Sequence, residues 1–446
     1  MIHLILVLGL ILRLINLDQS LWLDEAISAL AARDYSFFGI IKDFIPGDTH
    51  PPLYYLILKF WASIWEFSEI SLRIPSVLFG VATIFILYKI SQKSLIPALL
   101  LATSGLHIYY SQEVRMYALS TLLVSLAVYF FLKKSWKLFS LSLLLIGLTD
   151  YLPLLIIPVF LIYSLIQKSE LKKLFLSCIP LGFFLLLWSP VFLEQSLGTT
   201  NYLLIFPEWR TVLGSANLKE LALVWVKFII GRISFEPKIF YVLIVLFTSS
   251  IFGYLLFKSL KNLKKLGLFW LWLVVPTALA FLGSFFVPGF SYFRLIFVLP
   301  AFYILIAFGI KTKFQKVLVF LIVLINLLTS LTYLMNSKFW REDWKAAVVF
   351  VETRIQPNEV VLMSFPEPFA PWRWYSKEQV EAIGVVDLMS TVSAIENKSG
   401  IYYFEYLSQL TDPNEVVKSS ISQIGYSKVE TYDFRGVGFI EHWQKD

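Results

Sequence analysis

Long apolar runs separated by short polar breaks fill most of the chain, and their lengths predict membrane-spanning helices. A spanning helix needs about 20 largely apolar residues. Runs near this length lie at 2–17, 51–65, 72–90, 94–111, 115–132, 136–149, 151–167, 173–193, 239–257, 266–287, 292–310 and 315–335. The first run contains Arg13 and leads to no small-residue cleavage site, which predicts a retained first helix instead of a cleaved leader.

Charge in the breaks assigns sides. Lys89 and Lys93, then Lys133, Lys134 and Lys137, then Lys168, Lys172 and Lys173, then Lys258, Lys261, Lys264 and Lys265, and finally Lys311, Lys313 and Lys316 form basic loops. The positive-inside rule makes all of these cytoplasmic. Residues 18–70 are instead rich in acid, with Asp18, Asp24, Glu25, Asp34, Asp43, Asp48, Glu66 and Glu69, and read as a first outer loop. Parity then requires that one of the runs 51–65 and 72–90 does not cross. The shorter one, which begins at His50-Pro51-Pro52 and contains Lys59, is expected to be interfacial or re-entrant. The stretch 136–167 lies between two basic loops, so it must be a hairpin turning near Asp150. The sum is about eleven crossings, with the N-terminus cytoplasmic and the C-terminus outside. A long outer loop is expected at 194–238.

From about 338 the pattern changes. Glu342, Asp343 and Lys345 open an amphipathic helix, 359–365 and 401–404 read as strands, 413–424 as a helix, and 428–434 and 437–442 as further strands. The expected organisation is a membrane domain over 1–336 and a small extracytoplasmic α/β domain over 337–446. That domain has no glycine-rich phosphate loop, so no nucleotide cofactor is expected. It either covers the membrane site, contacts an acceptor, or acts as a stabilising cap.

Composition sharpens the class. Hydrophobic residues make up 58% and charged residues 15% of the 446 positions, against roughly 45–50% and about 25% in soluble domains. Mean hydropathy is +0.72. The net charge of +7 sits in short clusters between apolar runs, which argues for cytoplasmic loops and against nucleic acid. The single cysteine, Cys178, rules out intrachain disulfides and cysteine-based metal clusters.

Four sites could carry chemistry. Asp24-Glu25 places two carboxylates just beyond the first membrane helix, where they need a task or a partner; Asp24 could also be an ordinary helix cap. His50-Pro51-Pro52-Leu53-Tyr54-Tyr55 puts a histidine at a helix entry, able to bind a metal or phosphate, or simply to start the helix. Tyr110-Ser-Gln-Glu-Val-Arg-Met-Tyr117 holds Glu113 and Arg115 in a tight outer turn, as a functional pair or as mutual partners for burial. Arg294, in Ser291-Tyr-Phe-Arg, offers either a rigid multi-donor phosphate contact or a snorkelling charge. All four map to the same membrane side. Mid-membrane carboxylates are nearly absent, which weakens an ion-coupled transporter.

Together Leu12-Arg13-Leu14, Leu21-Trp22-Leu23-Asp24-Glu25-Ala26, the His50–Tyr55 stretch, Leu72-Arg73-Ile74-Pro75-Ser76 and the Tyr110–Tyr117 stretch resemble a known superfamily. It is the dolichyl-phosphate-mannose protein mannosyltransferase and aminoarabinose transferase superfamily, in its prokaryotic branch. The resemblance spans roughly 1–335 and is densest in 1–130; Arg341-Glu-Asp-Trp-Lys-Ala-Ala347 also resembles the opening of the relatives' outer domain. It implies an α-helical polytopic protein of the C-type glycosyltransferase fold, in a plasma membrane. It implies a polyprenyl-phosphate sugar donor and a protein, lipid or glycan acceptor. Asp24 would be the catalytic base, and Glu25 would support the acceptor or the loop. His50, Tyr54, Glu113, Arg115, Tyr117 and Arg294 would bind substrate, with Arg294 meeting the lipid phosphate. The chain departs from the aminoarabinose branch at Thr49 and His50, where that branch has an acidic residue and Lys. A divalent metal at this position is left open. A lipid-linked sugar flippase and a non-catalytic assembly protein are the competing readings.

Overall fold

The computed structural model describes residues 1–310, 312–377 and 380–445. Lys311, part of the last basic loop, lies outside the described residues. The chain divides into two compact units: 1–17, 36–198 and 213–339 form one, and 18–35, 199–212 and 340–446 the other. The expected boundary at 336/337 assigns 18–35 and 199–212 to the membrane domain. In the structure both stretches group with the C-terminal sheet domain, and for the first of them the reason is a set of specific bonds described below.

The first unit is helical. Among the described residues, five helices have the length and apolarity to cross a membrane: Glu69–Ile90, Leu171–Ile205, Lys238–Leu260, Leu263–Gly283 and Lys313–Met335. Shorter apolar helices include Ile2–Leu14 (α1), Leu53–Ile64, Tyr117–Leu132, Trp136–Gly147 and Ile156–Ile166. The run 51–65 therefore yields a helix too short to span, and 136–167 breaks at Asp150 as the charge parity requires. Lys134 and Lys173, from two of the basic loops, both pair with Glu170, at 3.0 and 3.1 Å. These loops therefore share one side of the unit.

Two features depart from the hydropathy pattern. The run 94–111 is not continuous: Leu95–Thr103 ends and Gly105–Ser111 begins at Ser104, whose extended backbone separates them. Arg13, fully buried, makes this break tolerable. Its guanidinium donates to the carbonyls of Ala102 (3.1 Å) and Leu101 (3.3 Å) and meets His107 Nδ1 at 2.7 Å. Backbone groups freed by the break thus gain a partner, as a buried polar group requires. The expected long loop at 194–238 is largely helical, with the preceding helix running on to Ile205 and a further helix at Leu218–Ile230. Asn217 caps the latter by accepting from the Glu220 N–H at 2.9 Å.

The second unit contains a sheet of β1 (Glu359–Met363), β2 (Ala382–Gly384), β3 (Gly400–Phe404), β4 (Tyr426–Phe434) and β5 (Gly438–Lys445) in the order β2-β1-β3-β5-β4. β1 lies parallel to β2 and β3, while β5 runs antiparallel to β3 and β4. β1 and β3 are buried along their whole length, as central strands covered on both faces must be. Val361, Met363, Tyr402 and Phe404 face a core with Trp344, Val348 and Trp372. Val360, Leu362, Ile401 and Tyr403 face the other, with Ile395, Val417 and Ile421. The strands expected at 359–365, 401–404, 428–434 and 437–442 all form. β2 does not announce itself in the sequence because three residues carry too little periodicity.

Candidate functional site

In the second unit, helix α2 (Leu23–Asp34) opens with Asp24 and Glu25 in its first turn, where negative side chains suit the helix dipole. The cap residue is Trp22, not Asp24, and no side chain of the segment itself caps the helix. Glu25 is fully buried and pairs with Arg341 Nε at 3.2 Å. It holds the loop and does not face outward. The Gln19 side chain accepts from the Arg341 N–H (2.9 Å), Ser20 Oγ from the Lys345 N–H (3.0 Å), and the Tyr375 hydroxyl from the Leu21 N–H (2.7 Å). These bonds stitch 18–25 to the stretch 341–375 and account for its membership of this unit.

Asp24 is half-exposed beside this seam. Next to it lies Glu342, whose carboxylate accepts from the Tyr406 hydroxyl at 3.0 and 3.1 Å and from Trp344 Nε1 at 2.8 Å. Burial pushes the Glu342 carboxyl up to about 7; bonds from Trp344 and Tyr406 pull it down, the Asp24 charge pushes it up, and the Leu23 N–H pulls it down. Burial also pushes the Tyr406 hydroxyl well above its usual value. Glu342 carried no functional signal in the sequence beyond its place at a helix start.

In the first unit a second polar centre gathers His50 and Arg115 with two residues the motif reading passed over, Asp48 and Tyr55. Asp48 Oδ1 accepts from the His50 N–H (2.8 Å) and lies 3.0 Å from His50 Nδ1. An ionised carboxylate only accepts, so Nδ1 carries the proton in that contact. The Tyr55 hydroxyl donates to the same oxygen at 3.1 Å and accepts from Arg115 Nη1 at 3.3 Å. Burial alone raises the Asp48 carboxyl, but the His50 hydrogen bond and charge and the Arg115 charge win, holding it below the ordinary aspartate value. Gln195 fixes the loop by donating to the carbonyls of Ile45 (3.0 Å) and His50 (3.3 Å), and is itself held by the Tyr151 hydroxyl at 2.6 Å. Tyr54, the expected binding residue, is instead buried with its hydroxyl 3.2 Å from Ser76 Oγ. Adjacent positions on a helix point about 100° apart, so only one of Tyr54 and Tyr55 can join the centre.

A third grouping in this unit is aromatic and cationic. Tyr117 packs edge-on against Tyr110 and Phe293, with ring centroids 5.2 and 5.6 Å apart. Arg294 lies with its guanidinium 6.0 Å from the Phe293 ring. Arg232, absent from the sequence candidates, sits over the Tyr109 ring at 4.3 Å and interacts electrostatically with Tyr110, Tyr292 and Glu113. The turn that delivers it needs glycine: Gly231 has φ +86°, and a Cβ there would press to 3.3 Å against the backbone of Gly105 and Leu106. Glu113 itself is fully buried. Among the described residues no three His, Cys, Asp or Glu side chains converge as a metal would require.

The described architecture is similar to that of ArnT from Cupriavidus metallidurans in the apo state, with a TM-score of 0.62, 10% identity, and 99% of this chain and 97% of that chain covered. This chain has the C-type glycosyltransferase fold. The form of the same protein bound to undecaprenyl phosphate matches with a TM-score of 0.58, 11% identity and the same coverage. Residues 49–194, about a third of the chain, match the family described as dolichyl-phosphate-mannose-protein mannosyltransferase. That segment contains the His50, Tyr55, Glu113 and Arg115 positions. No curated protein matches the chain by sequence.

Proposed function

We propose that this protein is a membrane glycosyltransferase that moves a sugar from a polyprenyl-phosphate donor to an acceptor hydroxyl at the outer membrane face. The observation that carries the reading is the whole-chain likeness to a protein solved with undecaprenyl phosphate, joined to the mannosyltransferase match over the segment bearing the Arg115 centre. The cluster of basic loops supports a cytoplasmic N-terminus and an extracytoplasmic C-terminal domain.

The chemistry suits the side chains. A polyprenyl phosphate is already a good leaving group, so no general acid is required of the kind a glycosidase uses on an alkoxide. One base takes the proton from the acceptor hydroxyl as its oxygen attacks the anomeric carbon, and the phosphate departs with the bonding electrons. Asp24 is assigned as that base because it is the half-exposed member of the Asp24-Glu25 pair, whereas Glu25 is committed to Arg341. Cationic donors stabilise the charge gathering on phosphate, and Arg115, Arg232 and Arg294 are assigned to that role, with the Tyr55 hydroxyl orienting Arg115. A single displacement inverts the anomeric centre.

The test is transfer by purified protein in lipid, offered a panel of radiolabelled polyprenyl-phosphate sugars with membrane extract as acceptor. Label moving to the acceptor with release of one equivalent of polyprenyl phosphate is the expected result. Movement of intact donor between leaflets without transfer, by folded protein, would replace this reading with a flippase.

A further inference from the structure

The helices Trp136–Gly147 and Leu171–Ile205 both start from basic loops, and a cavity of about 410 Å³ opens between their beginnings. Its walls are Trp136, Lys137 and Ser140 from one helix and Lys173, Leu176 and Ser177 from the other. Spacings of three and four residues put Lys137 with Ser140, and Lys173 with Leu176 and Ser177, on one face of each helix. The Ser140 hydroxyl donates to the Ser177 carbonyl at 2.7 Å, and the Ser177 hydroxyl to the Lys173 carbonyl at 2.8 Å. The helices are thus joined at the cavity. Farther along they touch again, where a Cβ on Gly147 would meet Leu181 Cδ1 at 2.5 Å. Lys173 Nζ lies 6.0 Å from the centre of the Trp136 ring. The charge around the cavity is unbalanced. The breaks at 133–137 and 168–173 carry Lys133, Lys134, Lys137, Lys168, Lys172 and Lys173 with Glu170 as their one acid. That glutamate is shared between Lys134 and Lys173. Neither helix has an acidic residue in its first turn, where the helix dipole favours one. Beyond the cavity, Leu176, Ile179 and Phe183 are exposed on one face of the longer helix. A cationic mouth therefore opens onto an apolar rail.

We propose that this cavity binds the headgroup of an anionic glycerophospholipid from the cytoplasmic leaflet. The lipid phosphodiester lies between Lys137 and Lys173, the glycerol backbone against Trp136, and an acyl chain along Leu176, Ile179 and Phe183. Basic pockets between helices on the cytoplasmic side hold anionic headgroups in this way. Tryptophan suits the same depth, because its ring is apolar and its N–H is polar. A zwitterionic headgroup brings its own cation and gains less from the unmatched lysines. A soluble phosphate would meet the lysines but gain nothing from the apolar rail. The bound lipid neutralises charge that the two joined helix starts hold together. The inference rests on the basic loops facing the cytoplasm. It assigns the site no part in the transfer chemistry, so its test does not depend on activity.

Native mass spectrometry of the delipidated full-length protein, titrated with phosphatidylglycerol or phosphatidylcholine of matched chains, tests this. Wild type should retain one phosphatidylglycerol in preference to phosphatidylcholine. Each lysine near an anionic surface contributes about fivefold, so Lys137→Gln/Lys173→Gln should weaken phosphatidylglycerol binding by about 25-fold. Its phosphatidylcholine binding should not change. Both side chains are exposed, so the fold is kept, and Lys137→Arg/Lys173→Arg, which preserves charge, should bind as wild type does. Lys261→Gln/Lys264→Gln, in another basic loop, should also bind as wild type. A photoreactive phosphatidylglycerol should label peptides covering 136–147 and 173–183 more strongly than its phosphatidylcholine counterpart. Equal retention of the two lipids by wild type, equal losses from the two double Gln variants, or equal labelling by the two probes would overturn the site. Release of the lipid by millimolar inorganic phosphate would overturn the lipid assignment in favour of a soluble anion.

Discussion

Replacing Glu25 by Gln should loosen α2 far more than a surface substitution would. The Glu25–Arg341 pair is 3.2 Å long with its side chains 0% and 2% exposed. At that distance two unit charges attract by about 5 kcal/mol at an effective dielectric constant of about 20. Breaking a buried pair by removing one member costs about 3–5 kcal/mol. Because the pair joins α2 to the stretch after Trp340, the cost should appear as local opening of 18–35 before global unfolding. Each 1.4 kcal/mol is a factor of about ten, so Glu25→Gln or Arg341→Gln should expose these amides to hydrogen exchange roughly a hundred- to a thousandfold faster. Mass spectrometry on peptides covering 18–35, with peptides from Glu69–Ile90 as internal control, reads this directly. The double change Glu25→Leu/Arg341→Met, which replaces the pair with apolar side chains of similar length, should recover much of the protection. If both single variants exchange within severalfold of wild type, or if the double variant is as loose as the sum of the singles, the pair does not anchor the segment and the argument fails.

Other consequences are more local. Tyr406→Phe removes a hydrogen bond that favours the ionised form of Glu342, so the Glu342 titration should move to higher pH; a midpoint unchanged or lowered in infrared titration would contradict the assigned contact. Arg232→Ala should raise donor KM about tenfold or more, by loss of a charge-assisted contact of about 1.5–3 kcal/mol, while Arg232→Lys, which keeps charge but not the planar fork, should lie between; equal kinetics for all three would remove Arg232 from the phosphate site. Tyr55→Phe should disturb Arg115 and reduce transfer several-fold, whereas Tyr54→Phe, whose hydroxyl meets Ser76, should leave donor KM unchanged in the same assay.

Much of this architecture is written locally. Helices such as Glu69–Ile90 and Lys313–Met335 follow from uninterrupted apolar length, and the break at Asp150 follows from charge parity alone. The strands β1, β3, β4 and β5 follow from β-branched and aromatic runs between turn residues. What the sequence conceals depends on partners distant along the chain. Nothing near 94–111 reveals that Arg13 supports a break at Ser104. Nothing near Asp24 reveals that Arg341 claims Glu25, or that 18–35 therefore joins the sheet domain. Arg232 was hidden because 194–238 read as a loop, although the amphipathic helix Leu218–Ile230 followed by Gly231-Arg232 was a signal that could have found it. Tyr55 was passed over for its neighbour because a motif gives spacing but not the rotation of the helix that carries it.

The most direct measurement is single-turnover transfer by wild type and Asp24→Asn, reconstituted in lipid with whichever polyprenyl-phosphate sugar proves active. The account predicts that wild type transfers the sugar with inversion at the anomeric carbon. It also predicts that Asp24→Asn binds the same donor with similar affinity and loses transfer by at least the roughly 10²–10⁴-fold that a positioned base contributes. Transfer by Asp24→Asn at the wild-type rate, or retention of anomeric configuration, would contradict it.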